Sequence, residues 1–437
     1  MKRDICGSRV SSAMRAASLA LIVLGVVKPL RAQEPVSPLP PPAPIPSPSD
    51  PTPTPAPGEA EPSKDLMDVI RELRHKPEPP PPDPRKRMVA GAPVIAYSPT
   101  SGIGVGVAGN VAFYRGFPQT TRISSIVASA TGTSKGQVLV SAKMNVSSFE
   151  NRWRLEADNR FYWTSQPTYG LGTSTPDDAS LDMEFNHFRI YDKYYKQVHR
   201  NVFLGAGYIY NIHNNVRPDE DVDPLDWLDS PYLEYSLDHG FDPDSQTSAG
   251  LSLHALLDSR DGAINPTGGW YANATYAMHF EGFLGGTSSW QLFSYDLRTY
   301  FRLSKDARHK LALWTFGDLV TGGEAPYLDL PSTGGDLYAR SGRGYPQGRF
   351  RGERMLYAEA EYRWTMTKNG LFGMVAFVNT QTLSNEQAEG KLFDSFANAA
   401  GFGFRFMLNK PSNTNLCFDI GFGKDSKGVY FGVQEAF

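Results

Sequence analysis

The feature that most constrains this chain is a two-residue alternation of apolar and polar side chains, sustained over long segments from about Met88 to Phe437. In 152–163 the apolar positions are Trp153, Leu155, Ala157, Phe161 and Trp163, with Arg152, Arg154, Glu156, Asp158 and Arg160 between them. In 355–364, Leu356, Ala358, Ala360, Tyr362 and Trp364 face one way, and Tyr357, Glu359, Glu361 and Arg363 the other. Leu416, Phe418, Ile420 and Phe422 alternate in the same way with Cys417, Asp419, Gly421 and Gly423. Successive side chains on a strand point to opposite faces, so each segment reads as a strand with one apolar and one polar face. A soluble antiparallel sandwich alternates too. These segments, however, have the ~9–11 residues that an oblique strand needs to cross a bilayer. Aromatic residues also recur near their ends, where interfacial girdles sit. The expectation is all-β: a transmembrane antiparallel β-barrel of about 16 strands over residues 88–437. No convincing helix shows after residue 88. The larger tracts outside the pattern, 165–183, 213–243 and 321–352, belong at the outer end, with short turns at the periplasmic end.

Residues 1–32 read as a cleaved Sec-type signal peptide. Lys2, Arg3, Arg9 and Arg15 supply its positive region, and the apolar run Ala16 to Val27 is shorter than the ~20 residues of a spanning helix. Residues 33–87 form a Pro-rich linker, disordered and extended, expected in the periplasm, where it could meet a periplasmic or cell-wall partner. A short amphipathic helix over 63–75 interrupts it. Ser63 can cap that helix, Asp65 complements its dipole, and Leu66, Ile70 and Leu73 share one face. Alone in water so short a helix is marginal, so it is expected to dock, with the barrel's periplasmic mouth as the candidate surface.

The formal net charge of −3 gives no case for nucleic-acid binding. Cys6 lies in the leader and leaves Cys417 alone, so a mature chain has no internal disulfide. The histidines form no metal-spaced pair, and neither a metal nor a cofactor is expected. Gly132-Thr133-Ser134-Lys135-Gly136 fits G-x-S-x-G, but a nucleophile elbow needs a helix after the turn, and strands flank this one. It reads as a hairpin turn, and no enzyme activity is expected.

Two motifs carry a resemblance. Asp258-Ser259-Arg260-Asp261, followed by Asn265-Pro266-Thr267-Gly268-Gly269-Trp270-Tyr271, resembles the D-[ST]-R-D…P-T-x-G turn of the BamA/TamA barrel superfamily, the bacterial surface antigen family. Read physically it is a structural turn in which Asp258 and Asp261 accept backbone hydrogen bonds and Pro266 and Gly268 fix the bend. The run from Ser341 to Gly352 resembles the R-G-Y-x-x-G-R-[YF]-R variant of that family's sixth extracellular loop, carried here by Arg343, Gly344, Tyr345, Gly348 and Arg349. Strand counting puts it between strands eleven and twelve, as in the family. The resemblance implies a loop folded back into the lumen, its arginine held by acids on the inner wall. The chain end is a third match: Asn415 to Gly423 and Gly428 to Phe437 resemble the family's last hairpin, and Phe437 the recognition signal of outer-membrane barrels. Phe431, Val433 and Phe437 are expected on one face, with Glu435 the exception on it.

There are two departures. Insertase members carry polypeptide-transport-associated domains before the barrel, and residues 33–87 hold no pattern for one. Family members also often show an acid where Asn379 stands in Phe377-Val378-Asn379-Thr380-Gln381. Arg343 must then pair elsewhere, and Glu359, Glu361 and Asp419 are candidates by parity, with Arg405 and Asp419 pairing across neighbouring strands. What the resemblance implies is an outer-membrane barrel, bathed in outer-membrane lipids, that inserts or translocates polypeptide clients. A passive porin-like channel and a structural anchor are the alternatives.

Overall fold

The computed structural model describes residues 63–77, 86–98, 102–176, 179–337, 339–387, 389–410 and 412–437. Residues 1–32, read above as a signal peptide, and most of the Pro-rich stretch 33–87 lie outside them. The alternating segments form 16 strands in one sheet, each antiparallel to its neighbours in the chain. They are β1 (Met88–Ser98), β2 (Gly102–Phe113), β3 (Ser124–Thr133), β4 (Val138–Ser147), β5 (Trp153–Thr168), β6 (Leu181–His199), β7 (Val202–Pro218) and β8 (Ser245–Asp258). The second half is β9 (Gly269–His279), β10 (Trp290–Arg302), β11 (His309–Gly323), β12 (Arg354–Thr365), β13 (Phe372–Leu383), β14 (Ala397–Asn409), β15 (Thr414–Gly423) and β16 (Ser426–Val433). β1 lies beside β16 and closes the barrel, but no ladder of hydrogen bonds joins the two among the described residues.

The distribution of side chains is inverted relative to a soluble fold. Leu251, Leu253, Leu297, Tyr362, Val378, Phe402 and Phe422 are exposed, while the alternate positions bury His254, Glu359, Glu361, Arg363, Arg405 and Asp419. Charge inside and hydrocarbon outside is the arrangement lipid demands. Trp153, Trp270, Phe301 and Trp364 are exposed close to the end where the connections are short, as an interfacial girdle requires. No helix among the described residues is long and apolar enough to cross a membrane.

The long connections all fall at the opposite end. They are loop 3 (169–180), loop 4 (219–244), loop 6 (324–353) and the connection 384–396, the first three shorter than the sequence tracts because β5, β6, β7 and β11 run past the alternation that announced them. Polar pairs such as Arg217 to Glu184 at 2.6 Å support that extension. Loop 4 also corrects the expectation of no helix after residue 88. It holds two short helices, Pro224–Leu228 and Pro231–Asp238, each with proline in its first turn and capped by Asp223 or Ser230. Those caps suffice for five to eight residues when tertiary contacts supply the rest. Tyr232, Leu233, Tyr235 and Phe241 of loop 4 pack with Leu171 of loop 3 and Tyr327, Leu328 and Leu330 of loop 6. The three loops thus make one apolar dome over the long-loop end.

The helix α1, Leu66–Leu73, is shorter than read and starts on a different cap. Asp65, not Ser63, closes it: its carboxylate accepts from Asp68 N at 3.0 Å, and Asp68 accepts from Asp65 N at 3.0 Å. α1 docks on the short-turn end through this polar corner rather than through its apolar face. Lys410, after β14, donates its backbone N–H to Asp65 at 3.1 Å and its ammonium to Asp68 at 2.9 Å. Met67 and Leu73 stay exposed. Burial opposes the Asp68 charge, but the hydrogen bond from the Lys410 ammonium, with the Asp65 N–H and Arg71, outweighs it and holds the carboxyl below its ordinary range. A depressed carboxyl contributes stability that is whole at neutral pH and is lost as pH falls through its folded value, here below about 4. Acidification past that point is therefore expected to free α1, and Lys410→Ala to weaken its docking by about 1 kcal/mol at pH 7. Amide exchange across Leu66–Leu73 is the readout, and unchanged protection in both cases would show that other contacts hold the helix.

Candidate functional site

Loop 6 leaves β11, contributes to the dome and then turns inward at Ser341-Gly342-Arg343-Gly344. The chain can make that turn only with glycine at 344. Its φ is +118°, and a Cβ there would sit 2.7 Å from Ala399 Cβ and 3.0 Å from Gly423 N, against the walls of β14 and β15. Arg343 is carried to full burial at the inner wall. Its Nη1 donates to Asp419 at 2.7 Å, and its Nη2 donates to Glu361 at 2.5 Å and to Glu359. The guanidinium lies 3.7 Å from the ring centre of Phe377. All three acids read as candidate partners therefore converge on one arginine, Glu359 and Glu361 from β12 and Asp419 from β15.

Further cations hold these acids in turn. Arg363 donates to Glu361 at 2.7 Å. Arg405 donates to Asp419 at 2.5 Å, a diagonal contact, since the register sets Arg405 opposite Cys417 and Asp419 opposite Gly403, and to Glu435 at 2.7 Å. Tyr357 donates to Glu359. Ion pairs so buried are strong only when every partner is present, because desolvation is not recovered by a lone charge. The loop backbone is fastened as well: Asn379 Nδ2 donates to Arg343 O at 3.0 Å, Gly344 N donates to Tyr430 Oη at 2.9 Å, and Tyr345 Oη donates to Asn398 O at 2.8 Å. Arg349 does not join this cluster. Gly348, at φ +75°, turns the chain back, and Arg349 donates to Thr175 Oγ1 and O, both at 2.7 Å, tying loop 6 to loop 3. Beside the inserted loop the lumen keeps a cavity of about 630 Å³, bordered by Asp158, Arg160, Arg189, Asp296 and Arg298. Its charges are largely paired along single strands, Arg160 to Asp158 at 2.8 Å and Arg298 to Asp296 at 2.5 Å.

The turn after β8 is a second ionic centre. Asp258 is fully buried and meets three guanidinium groups: Arg122 at 2.5 Å, Arg154 at 2.8 Å and Arg260 at 2.9 Å. Its expected role as a backbone acceptor is thus minor, and it clamps side chains from three parts of the wall. Asp261 does accept backbone hydrogen bonds, from Thr267 at 2.8 Å and Gly268 at 3.2 Å. Those bonds, with the Thr267 hydroxyl and Arg302, hold its carboxyl below the ordinary range against the opposing effect of burial. The left-handed residue of the bend is Gly269, at φ +99°, rather than Gly268, and Pro266 precedes it.

The chain end departs from expectation. Phe431 and Val433 lie on β16, but the strand stops there, and Gln434 takes φ +84°. The last residues turn into the lumen, so Phe437 does not continue the face of Phe431 and Val433. It is buried, stacked on Trp314 at 5.1 Å between ring centres.

Residues 131–437 match the Omp85 superfamily domain, which is more than half of the chain. The chain belongs to the Omp85 superfamily. As a fold this Omp85 barrel is similar to BamA from Haemophilus ducreyi lacking POTRA domains 1-3, at TM-score 0.50 and 14% identity over 80% of this chain and 69% of that one. It is equally similar to CdiB from Acinetobacter baumannii, at TM-score 0.50 and 13% identity over 80% of this chain and 59% of that one. No curated protein sequence matches it. Barrels of this superfamily reside in the bacterial outer membrane. Sequence reasoning missed Arg363, Tyr357, Tyr430 and Glu435 as members of the Arg343 cluster. Strand parity put Arg363 and Tyr357 on the right face, but nothing in the sequence told which lumen residues the loop would reach. Asn379, noted only for not being an acid, holds the loop's backbone instead of its guanidinium.

Proposed function

We propose that this Omp85 barrel inserts or translocates polypeptides at the outer membrane, with its long loops outside and its short turns in the periplasm. One observation carries the reading. Every neighbouring pair of strands is joined by a ladder except β1 and β16, which lie side by side without one among the described residues. An unpaired strand edge is a template for another chain. The rest of the wall is braced: Arg343 ties loop 6 to β12 and β15, so strain falls on the line between first and last strands. The dome of loops 3, 4 and 6 speaks against a passive pore, since it packs apolar side chains over the route a solute would take. The polar cavity of about 630 Å³ is what favours the channel reading. Depletion followed by quantitative outer-membrane proteomics separates the two. Loss of particular barrels or surface proteins is expected. An unchanged profile, together with large and steady single-channel conductance from the purified protein, would give the function to the pore.

A further inference from the structure

The lipid-facing wall has a hollow whose shape follows from the strand register. A cross-strand row of outward residues leads from Trp270 on β9 through Leu313, Ala360 and Ala400 to Phe422 on β15. The next row towards the long loops holds Leu297, Thr315, Ala358, Thr380 and Asn398. Apart from Val378, the middle of both rows is small. The rows on either side carry Leu311, Tyr362 and Phe402, or Tyr295 and Leu356. Small side chains between large ones leave an apolar trough, with an open volume of about 980 Å³. It slopes across the membrane. Trp270 begins it in the girdle at the short-turn end, and Phe422 and Asn398 end it near the long loops.

The trough is continuous with the wall that lipid covers. A polypeptide fits it badly, because β9 to β15 are laddered on both sides and a backbone laid there would have no partners. In lipid, exchanging one hydrocarbon neighbour for another gains nothing by the hydrophobic effect, so a chain stays only where packing and a polar contact hold it. The polar contact is at the upper end. Asn398 and Thr380 are cross-strand partners on the lipid face, and neither side chain is hydrogen-bonded among the described residues. An unpaired amide is costly against hydrocarbon. From the exposed Phe406 up β14 to Asn398 is a climb of about 20 Å at a strand tilt of ~40°, close to the top of an apolar band ~25 Å tall. At that depth an acyl chain joins its headgroup through an ester or amide, whose carbonyl accepts from an amide N–H or a hydroxyl.

We propose that the trough across β9–β15 is a binding site for one acyl chain of a membrane lipid, its ester or amide carbonyl at Asn398 and Thr380 and its tail lying towards Trp270. The site involves no polypeptide client and stands apart from the insertion reading. Only the naming of the outer leaflet as the lipid's source rests on the orientation given there.

Full-length protein is placed in nanodiscs of phosphatidylethanolamine and phosphatidylglycerol that include a phospholipid with a diazirine either beside the ester or at the end of one acyl chain. After illumination, the first probe is expected on 380 and 398–400, and the second on 270 and 297–299. Adducts spread evenly over the lipid-facing wall, or the two probes in reverse order, overturn the proposal. The double variant Ala358→Phe/Ala400→Phe fills the trough from the lipid side. It is expected to lower both the adducts and the phospholipid retained through detergent extraction about tenfold. Val105→Phe, at an exposed position on β2, is expected to change neither. Asn398→Leu is expected to lower retention about threefold, the loss of one hydrogen bond. Retention equal to wild type in the filled variant overturns the site. Should that variant lose heat-modifiable mobility and so prove unfolded, Asn398→Leu decides, with unchanged retention overturning the proposal. Self-association of wild type that disappears in the filled variant, with no lipid retained by either, would give the trough to a second copy of the chain and overturn the lipid site.

Discussion

Arg343→Ala is expected to release loop 6 from the lumen and to cost the barrel about 3–5 kcal/mol, the loss seen when one partner is removed from a buried ionic cluster. The size follows from the geometry. One guanidinium faces three carboxylates at full burial, and its removal leaves Glu359, Glu361 and Asp419 with only Arg363 and Arg405 as cations. Arg343→Lys is expected to recover little of this, because a point ammonium cannot fork onto acids from two strands at once. Heat-modifiable mobility on gels reports on the barrel, and protease cleavage within 324–353 reports on the loop. Wild-type behaviour in both would mean that Asn379, Tyr345 and Tyr430 hold the loop without the charge.

Asp258→Ala is expected to have an effect of similar size, about 3–5 kcal/mol, at the second ionic centre. Arg154 and Arg260 are almost wholly buried, and Asp258 is shared with the half-buried Arg122. Taking away the one acid they share leaves like charges close together in a poorly solvated place. Asp258→Asn keeps the shape and removes only the charge, so it should lose most of the same stability. Arg122→Ala should cost far less, since two guanidinium groups remain on Asp258. Urea midpoints of the refolded barrel in micelles measure all three. A common midpoint for wild type and Asp258→Asn would show that Glu156 and water suffice for the arginines.

The barrel was legible because its constraint is local and repeated. At Glu359, Glu361 and Arg363 parity alone fixes which side chains meet the lumen, and the strand number followed from counting such runs. The R-G-Y loop was legible for a different reason: its residues resemble a family motif, and only the structure shows why glycine stands at 344 and arginine at 343. What stayed hidden depends on distant parts of the chain meeting. Arg349 reads like a second lock residue, yet Gly348 sends it to Thr175, some hundred and seventy positions earlier in the chain. Ser63 is as good a cap as Asp65, and the choice went to the residue that could also meet Lys410. Phe437 continues the alternation of β16 on paper. Its neighbour Glu435, an acid on an apolar face, was the one local sign that the strand ends early, and it is drawn inward by Arg405 and Asn415.

Because each ladder links strands that follow one another in the chain, assembly can proceed hairpin by hairpin with small entropy losses at every step. Bringing β1 against β16 is different, for it closes a loop spanning nearly the whole domain, and by polymer statistics costs about 3 kcal/mol more than closing a short turn. Maturation of the barrel should therefore have a single slow event at its end, preceded by a long-lived curved sheet with two bare margins.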